Sequence, residues 1–286
     1  MKEIQVEGKI INITHPKKVL FPRDNITKWN LTNYYLKIAD CILPFIRNRP
    51  LTINCFPSGI NEVGFYRQHA LENLPDWFST YELKRKTECQ VNHILCQNKA
   101  SLIYLVNQNM ITIHRWLSTI ENPENPEILI IDIDPPKDKF YLACKAAKLV
   151  QFHLKAIGYQ PYLMTTGSRG LHVISKAKKD SHFEQIREIL YNITSAIAAD
   201  YPEEFSVDVR KKGRKDLVYL DITRNAYGQT SVAPFSVRAK DGAPIATPVA
   251  WEELEDVTLN STKYNINNIF NRLDNLKQNP WHHYDA

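Results

Sequence analysis

The sequence predicts a mixed α+β fold. Segments with helical periodicity alternate irregularly with apolar runs of strand length, whereas a doubly wound parallel sheet requires regular βαβ units. A glycine turn between two apolar runs, in "YLMTTGSRGLHVISK", is typical of two strands joined by a tight connection. No internal repeat or low-complexity linker divides the chain, so we expect a single domain over residues 1–286.

Helices are predicted where apolar residues recur at helical spacing behind a capping residue. The first is expected from Thr27, a suitable N-cap, to about Asn48, with Pro44 interrupting it late. Two short helices are expected near the C-terminus, at Trp251–Leu254 and Ile266–Leu276. The remaining helices are expected over residues 101–108, over residues 139–157 with Gly158 as C-cap, and over residues 181–200 with Ser181 as cap and Glu184 at the capping-box spacing.

Strands are predicted from short apolar runs bounded by turn residues. The run over residues 127–134 is almost continuously apolar, which indicates a central strand. Arg238 and Lys240 are expected on one strand and on the same side of it, because they are two positions apart. The other expected strands cover residues 51–56, residues 110–116 ("MITIHRW"), the two arms of the turn within residues 162–176, and residues 217–225 ("LVYLDITRN").

Composition and charge favour a cytoplasmic protein. The N-terminus, "MKEIQVEGKI", lacks the apolar core of a signal peptide, and no stretch is long and apolar enough to cross a bilayer. The five cysteines are odd in number and widely spread, as reduced thiols in the cytoplasm would be. A net charge of +5 favours polyanionic partners only weakly, since many ordinary enzymes are as basic.

One cluster of potential metal ligands has two interpretations. Cys89, His93 and Cys96 could be three zinc ligands. Alternatively, the segment is a strand on which Val91, His93 and Leu95 share the face opposite Cys96. Zinc sites prefer closer cysteine pairs and a fourth ligand nearby, so the spacing favours the strand.

Two aspartates, Asp132 and Asp134, interrupt the central apolar strand at alternate positions. They point to the same face, where two ionised carboxylates repel each other and lose hydration. A divalent cation relieves both costs, and Asp221 lies in a similar apolar run that would supply a third ligand. Three aspartates on neighbouring strands suit two Mg²⁺ or Mn²⁺ ions. The alternative is a solvent-facing edge with spare acids, because D-x-D is short and recurs by chance.

The glycine turn in "TTGSRGLHV" is a candidate anion site. We expect its backbone N–H groups to point at an anion, with further donors from Thr166, Ser168 and Arg169. It is neither a Walker loop nor a dinucleotide-binding fingerprint, since no helix follows the glycines. His172, one strand step further on, could donate to a phosphate, although a lone histidine on a strand is the alternative.

A third block, "LDITRNAYGQTSVAPFSVRAK", adds cations behind the third aspartate. Arg224 follows Asp221 closely, and Arg238 and Lys240 come later in the same block. Beside a metal site these cations suit the tail of a nucleoside triphosphate. The alternative is a set of exposed salt bridges, which contribute little.

Together, "IDIDPP", "TTGSRGLHV" and "LDITRNAYGQTSVAPFSVRAKDGAPIATPVAWEEL" resemble the polymerase domain of the bacterial ligase D proteins, which act in non-homologous end joining and belong to the archaeo-eukaryotic primase superfamily. The resemblance runs from about Thr14 to Leu254. It implies a primase-polymerase catalytic core with mixed or antiparallel sheets flanked by helices. It also implies DNA-end and template-binding elements over residues 1–125, a metal and nucleotide core over residues 126–255 and a C-terminal helix over residues 256–286.

The resemblance implies a template-dependent nucleotidyltransferase that extends ends, fills gaps, favours ribonucleotides and uses two Mn²⁺ or Mg²⁺ ions. Implied partners are gapped or broken DNA, nucleoside triphosphates, the bacterial Ku protein and a DNA ligase, at the nucleoid. The implied site residues are Asp132, Asp134 and Asp221 as metal ligands with His114 beside them, Thr166, Ser168, Arg169, His172, Arg224 and Arg238 as nucleotide contacts, Lys18 and Lys28 on a 5′-phosphate, and Phe65 and Tyr66 stacking on the template. Without the resemblance, these lysines and aromatics would be interpreted as solvated lysines and a core pair.

One departure from the family concerns Asn54 and Cys55, which occupy strand positions where family members commonly carry basic residues. This predicts a weaker grip on the 5′ end. The alternative functions are a primase that starts chains de novo, a D-x-D glycosyltransferase and a non-catalytic DNA-binding subunit. The chain contains no ligase or phosphoesterase segment, so a stand-alone polymerase and a piece of a longer protein are both open.

Overall fold

The computed structural model describes residues 1–83, 91–210, 214, 216–281 and 284. The helices are α1 (Lys28–Ile46), α2 (Lys99–Asn107), α3 (Phe140–Ala156), α4 (Phe183–Asp200) and α5 (Ile269–Asn275), with a 3₁₀ turn at Trp251–Glu255. The strands are β1 (Lys2–Val6), β2 (Lys9–Ile13), β3 (Val19–Phe21), β4 (Ile26–Thr27), β5 (Leu51–Cys55), β6 (Phe65–Arg67), β7 (Thr80–Leu83), β8 (Val91–Ile94), β9 (Met110–Trp116), β10 (Ile128–Asp134), β11 (Pro161–Thr165), β12 (Leu171–Lys176), β13 (Phe205–Ser206), β14 (Val218–Asp221), β15 (Thr230–Val232) and β16 (Thr247–Val249).

Two six-stranded sheets form the centre of the described structure. Sheet A has the order β13–β14–β10–β12–β11–β16, and its neighbours are antiparallel except for the parallel pair β13 and β14. Sheet B has the order β15–β9–β5–β8–β7, with β6 also paired to β5, and is antiparallel throughout. These mixed and antiparallel sheets, with helices packed on them, confirm the predicted α+β class.

Helix α1 begins where the sequence predicts. The hydroxyl of Thr27 accepts a hydrogen bond from the backbone N–H of Asn30, and the Asn30 side chain accepts one from the Thr27 N–H. This reciprocal pair satisfies two of the donors that a helix start leaves open. Pro44 lies within the last turn and does not end the helix earlier. One side of α1 is buried in the core, which fixes the helix against sheet B.

The central strand β10 separates two environments. Ile131 and Ile133 are fully buried, and α3 packs against β10 through a face rich in alanine. Asp132 and Asp134 alternate with these isoleucines and therefore point to the other face. Gly158 follows α3 with a φ of +81°, which confirms it as the residue that ends the helix.

Two predicted boundaries are wrong in detail. Helix α4 is capped one residue later than expected, because the N–H of His182, and not Ser181, donates to the side chain of Gln185. The strand that carries Asp221 ends there and does not run to residue 225, because the Asp221 carboxylate accepts the N–H of Thr223 and bends the chain.

The segment with Arg238 and Lys240 is a loop and not a strand. Only Val237 pairs there, in a single bridge with Ile245. The chain near the C-terminus is also less helical than predicted, since only Ile269–Asn275 forms an α-helix within residues 256–281.

Trp281 is nonetheless buried, and its indole N–H donates to the carbonyl of Leu163 at 2.8 Å. The C-terminal segment is therefore anchored to sheet A. Among the described residues, no helix has both the length and the apolar content needed to span a bilayer.

Candidate active site

Three aspartates meet on one face of sheet A. Asp132 on β10 pairs directly with Asp221 on β14, and Asp134 lies two residues further along the same face of β10. The side chains of Asp132 and Asp134 are 17% and 26% exposed. Burial, together with the negative charges of Asp132 and Asp221, raises the pKa of Asp134. The sheet therefore concentrates negative charge at the position that the sequence singled out.

Two of these carboxylates are held by polar neighbours. His172 on β12 is the cross-strand partner of Asp132 on its other side, and its Nε2 lies 3.3 Å from Oδ1 of Asp132. Burial acts to raise the pKa of Asp132, but His172 and more distant arginines outweigh it and lower the pKa. Oδ1 of Asp221 accepts the backbone N–H of Thr223 at 2.7 Å and its hydroxyl at 2.6 Å. His172 is therefore placed to orient Asp132, and its predicted contact with a phosphate stays a prediction.

The turn between β11 and β12 is organised around one hydroxyl. Oγ1 of Thr166 accepts the backbone N–H groups of Ser168, Arg169 and Gly170 at 3.2–3.3 Å and donates to the carbonyl of Gly170 at 3.1 Å. The expectation that these N–H groups point outward at an anion is therefore wrong. Thr166 is buried and shapes the turn, while Ser168 is partly exposed and Arg169 is exposed on its outer side.

Two glycines allow the turn to pack closely on its surroundings. A Cβ on Gly170 would lie 1.8 Å from the carbonyl oxygen of Ile133, the residue between the two aspartates of β10. Gly167 has a φ of +62°, and a Cβ there would lie 2.8 Å from Cγ of Arg238. Both positions therefore exclude a side chain, and Gly170 ties the turn to the strand that carries the acids.

Arginines border the acids on the side of the turn. The guanidinium of Arg169 lies 3.5 Å from the carboxylate of Asp134. Arg238 donates to the carbonyl of Thr166 at 3.0 Å. Burial lowers the pKa of Arg238, and the negative charge of Asp132 acts in the opposite direction. The turn and the loop thus place fixed positive charge next to the carboxylates.

Lys240 and Arg224 extend this positive charge. Burial, and then the charges of Arg238 and Arg169, lower the pKa of Lys240, so these three cations are close together. Arg224 is exposed and close enough to lower the pKa of Asp132. The four predicted nucleotide-binding cations therefore lie near the acids. Three of them were expected on strands but lie in loops, Arg238 and Lys240 in one and Arg224 just after β14.

Sheet B contributes a histidine and a tyrosine. The ring of His114 on β9 lies 5.8 Å from the ring of Tyr66 on β6. Burial, and then the charges of Arg238 and Arg224, lower the pKa of His114 to about 3. His114 is therefore neutral near pH 7 and able both to donate and to accept a hydrogen bond.

The two predicted template aromatics do not form one stacking surface. Consecutive strand residues point to opposite faces, so Phe65 and Tyr66 diverge. Both are exposed, at 41% and 66%, but only Tyr66 lies next to His114. The guanidinium of Arg67 lies 5.4 Å from the ring of Phe65.

Several buried polar atoms near His114 have no hydrogen-bond partner among the described residues. They are Oγ1 of Thr52, Oδ1 of Asn54, Nδ1 of His114 and Nδ1 of His172. Thr52 and Asn54 pair in register with His114 and Tyr66, so their side chains share that face of sheet B. Buried polar groups are normally paired, so this group indicates a surface built for a polar ligand.

The two departures from the family pattern have different positions. Asn54 is on the face of sheet B that carries His114, whereas Cys55 points into the core. Burial raises the pKa of the Cys55 thiol to about 11. A basic residue would therefore be tolerated at Asn54 but would be costly at Cys55.

The two N-terminal lysines are placed differently from each other. Lys18 is exposed and donates to the carbonyl of Pro57. Lys28 is buried, and its ammonium group donates to the carbonyl of Asn107 at 2.6 Å and to the hydroxyl of Thr14 at 3.1 Å. Burial, and then the charge of Lys18, lower the pKa of Lys28 to about 8. The structure brings the two lysines together, with Lys28 beneath the surface.

Asn225 is a structural residue that the sequence did not suggest. Its side chain accepts the N–H of Ile130 at 2.9 Å and donates to the Ile130 carbonyl at 2.6 Å. It thus continues the ladder of β10 beyond the end of β14 and holds the loop that carries Arg224. The one signal in the sequence was that an asparagine amide can mimic a peptide group.

The carboxylates fit a divalent cation by their chemistry. Asp132, Asp134 and Asp221 offer only carboxylate oxygens, which hard ions such as Mg²⁺ and Mn²⁺ prefer. Among the described residues, however, no three Asp, Glu, His or Cys side chains are already arranged around one ion position. Like charges repel, and Asp132 and Asp134 turn instead to His172 and Arg169.

The potential zinc cluster is only partly visible, because Cys89 lies outside the described residues. His93 lies on β8, buried, with its ring 5.3 Å from that of Trp116. The Cys96 thiol donates to the carbonyl of Asn98 at 3.7 Å. The strand interpretation is confirmed for His93.

Comparison with known proteins identifies the family and the fold. A family profile described as "LigD, primase-polymerase domain" matches residues 27–281. The chain is 26% identical to the bifunctional non-homologous end joining protein LigD of Bacillus subtilis (strain 168) over 91% of its own length and 43% of that protein. It is 27% identical to the multifunctional LigD of Pseudomonas aeruginosa over 96% of its length and 33% of that protein.

A solved structure shares the fold. The polymerase domain of Mycobacterium tuberculosis ligase D in complex with DNA matches with a TM-score of 0.86 at 22% identity, over 92% of this chain and 94% of that one. The chain spans less than half the length of the curated relatives it matches.

Proposed function

The chain belongs to the LigD primase-polymerase domain family, and from this premise we propose that it is a template-dependent nucleotidyltransferase that extends DNA ends and fills gaps in non-homologous end joining. The observation that carries the proposal is the direct pairing of Asp132 with Asp221, beside Asp134 and bordered by cations. Acids for divalent ions and cations for a polyphosphate are the two requirements of nucleotidyl transfer.

Asp132, Asp134 and Asp221 are the residues that would hold two divalent ions, Mn²⁺ or Mg²⁺. When bound, such ions lower the pKa of the primer 3′-hydroxyl and neutralise charge on the triphosphate. The contribution of the chain is to keep the acids in place. His172 orients Asp132, and Thr223 orients Asp221 through two hydrogen bonds.

The triphosphate of the incoming nucleotide lies, in this proposal, against the turn and the loop. Arg169 and Lys240 are exposed and supply charge from outside, and Arg238 supplies it from a half-buried position fixed by its bond to the turn. Ser168 adds a hydroxyl, whereas Thr166 acts by holding the turn. Arg224 acts from the loop behind Asp221.

The sugar of the nucleotide lies against sheet B. Thr52, Asn54 and His114 present buried polar atoms that have no partner among the described residues. An additional hydroxyl on the ligand would satisfy one of them, which supports a preference for ribonucleotides. Neutral His114 suits this role, because it can accept as well as donate.

The DNA end is held by Lys18 and Lys28, and the template by Tyr66 with Phe65 at the margin. Lys28 is buried, so Lys18 makes the first contact with a 5′-phosphate and Lys28 strengthens the positive potential beneath it. A phosphate bound by Lys18 would offset the repulsion between the two lysines. Tyr66, 66% exposed, is free to stack on a base.

The names of the matching relatives indicate the partners that we expect. The matching LigD proteins are named as bifunctional or multifunctional end-joining proteins, and the chain corresponds to 33–43% of their length. We therefore expect it to act at DNA breaks in the nucleoid together with a DNA ligase activity and with the bacterial Ku protein.

The test is primer extension on a duplex with a short gap. The gap carries a 5′-phosphate or a 5′-hydroxyl, and each nucleotide type is supplied with Mn²⁺ or Mg²⁺ in turn. We expect extension directed by the template, faster with ribonucleotides and with the 5′-phosphate. Asp134→Ala should abolish extension and leave DNA binding largely intact, because only the charge that holds the ion is lost.

The controls separate the rival functions. Synthesis on a template without a primer would indicate a de novo primase, and turnover of a nucleotide sugar would indicate a glycosyltransferase. DNA binding without extension by the unmodified chain would indicate a non-catalytic subunit. Full activity of Asp134→Ala would refute the metal assignment, and equal rates on both gap ends would refute the role of Lys18 and Lys28.

A further inference from the structure

A cavity, which we call the aromatic pocket, lies on the face of sheet B that carries His114. It has a volume of about 650 Å³, within the range of ligand-binding pockets. Its lining includes the rings of Trp116, Phe183 and Tyr227 together with polar residues, among them two glutamines, two glutamates and two histidines. None of these residues has a part in the function proposed above.

The aromatic rings form a connected wall. The ring of Tyr227 lies 5.4 Å from that of Trp116 and 6.5 Å from that of Phe183. Trp116 and Phe183 are buried and fixed, whereas Tyr227 is 46% exposed. Gly228, which follows Tyr227, has a φ of +73°, a backbone conformation that favours glycine. A planar ligand that enters would stack on the exposed ring of Tyr227, which the two buried rings hold in place.

The polar lining indicates what kind of planar ligand fits. Gln68, Gln229 and Glu184 are exposed and offer amide and carboxylate groups at the rim. The described lining contains no lysine or arginine. Two glutamates, Glu124 and Glu184, line the pocket, so a phosphate would meet negative charge, whereas a neutral ring with amino and carbonyl groups could stack on Tyr227 and form hydrogen bonds.

The pocket and the candidate active site share one face of sheet B. Trp116 and His114 lie on the same face of β9, two residues and about 7 Å apart. Gln68 follows β6 two positions after Tyr66, the predicted template contact. Tyr227 lies in the loop that leaves Asp221. A strand of DNA that passes Tyr66 and His114 would therefore reach the pocket within one or two nucleotides.

From these observations we propose that the aromatic pocket binds one unpaired base of the template strand, extruded next to the copied position. The proposal rests on the proposed function, because it assumes a DNA template in the cleft. Holding one base in the pocket would keep the template from sliding while a short gap or a frayed end is copied. Stacking of a single base on aromatic side chains is strong enough to matter, since its loss weakens binding about 5- to 150-fold.

The test uses DNA with a single-stranded template segment. The fluorescent base 2-aminopurine replaces each unpaired template base in turn, and in a second series an abasic nucleotide does so. At one position we expect 2-aminopurine to be quenched by the protein, and the abasic nucleotide to weaken binding at least fivefold. Tyr227→Ala should remove both effects at that position, and Tyr227→Phe should retain them.

The controls distinguish the pocket from the polymerase function. Tyr141→Ala, a change of an exposed tyrosine on the outer side of α3, should behave as the unmodified chain does. Gln229→Ala, at an exposed position, should reduce quenching without a risk to folding. If the chain binds and extends DNA normally but Tyr227→Ala changes quenching and affinity at no template position, the pocket proposal is refuted and the proposed function stands. Absence of DNA binding by the unmodified chain would overturn the pocket and the proposed function together.

Discussion

Replacing Gly170 with alanine should move Asp132 and Asp134 without altering either side chain. The new Cβ would lie 1.8 Å from the carbonyl oxygen of Ile133, between Asp132 and Asp134. Carbon and oxygen atoms in relaxed contact lie about 3.3 Å apart or more, so the turn and β10 must separate by about 1.5 Å. Gly170 has no positive φ, so the effect comes from this contact and not from backbone conformation.

The size of the effect on activity follows from that shift. A misplacement of about 1 Å in a catalytic group costs roughly 100-fold in rate, so we expect Gly170→Ala to lower kcat/KM for nucleotide addition about 100-fold or more. Inserting a methyl group into a packed region also costs about 1–3 kcal/mol of unfolding free energy. The assays are primer extension on a gapped duplex and thermal unfolding.

Gly158→Ala is the matched control. Gly158 has a φ of +81°, and a Cβ added there would meet no atom within 4 Å, so alanine strains the backbone by roughly 1–2 kcal/mol at a distance from the acids. It should lower the melting temperature and leave extension unchanged. If Gly170→Ala extends DNA within twofold of the unmodified chain, the close approach of turn and strand does not position the carboxylates.

Three further predictions concern single side chains. Thr166→Val should lose about 1–3 kcal/mol of unfolding free energy and raise the KM for nucleotide, because three turn N–H groups lose their acceptor. Thr166→Ser should retain both the stability and the KM of the unmodified chain. If Thr166→Val and the unmodified chain unfold at the same denaturant concentration, the proposed organisation of the turn is excluded. His172→Phe should lower the rate of extension roughly 10- to 100-fold, because Asp132 loses the side chain that orients it, and DNA affinity should not change. A loss of DNA affinity would instead show that His172 contacts the DNA. Because the pKa of Lys28 is lowered to about 8, the unfolded chain binds more protons than the folded chain between pH 8 and about 10.4, and the unfolding free energy should rise with pH over that interval. Lys28→Met should flatten this rise in urea titrations. If the variant and the unmodified chain have the same pH profile, the pKa of Lys28 is not perturbed.

The local elements could be predicted because their causes are local. Thr27 caps α1, Gly158 ends α3 and the alternation around Asp132 indicates a strand, since each depends on residues within a few positions. Two boundary errors arose where a nearby side chain competed with the regular pattern. Gln185 moved the start of α4, and Thr223 ended the strand at Asp221.

Part of the candidate site was also predictable. The three aspartates interrupt apolar strands, where an unpaired carboxylate is costly, and this alone marked them as a potential metal site. The direction of each side chain in the turn was not predictable. Whether a hydroxyl such as that of Thr166 faces inward or outward depends on the backbone around it, and only the folded turn decides this.

The sequence by itself determined the fold class, the main helices, the central strand and the residue types that carry the chemistry, because hydrophobic periodicity and the cost of buried charge act along the chain. Only the tertiary structure decided that Asp132 stands between Asp221 and His172, that Lys28 is buried, and that Trp116, Phe183 and Tyr227 form one pocket. These are contacts between distant segments. Their register depends on how whole sheets and loops pack, which no short stretch of sequence specifies.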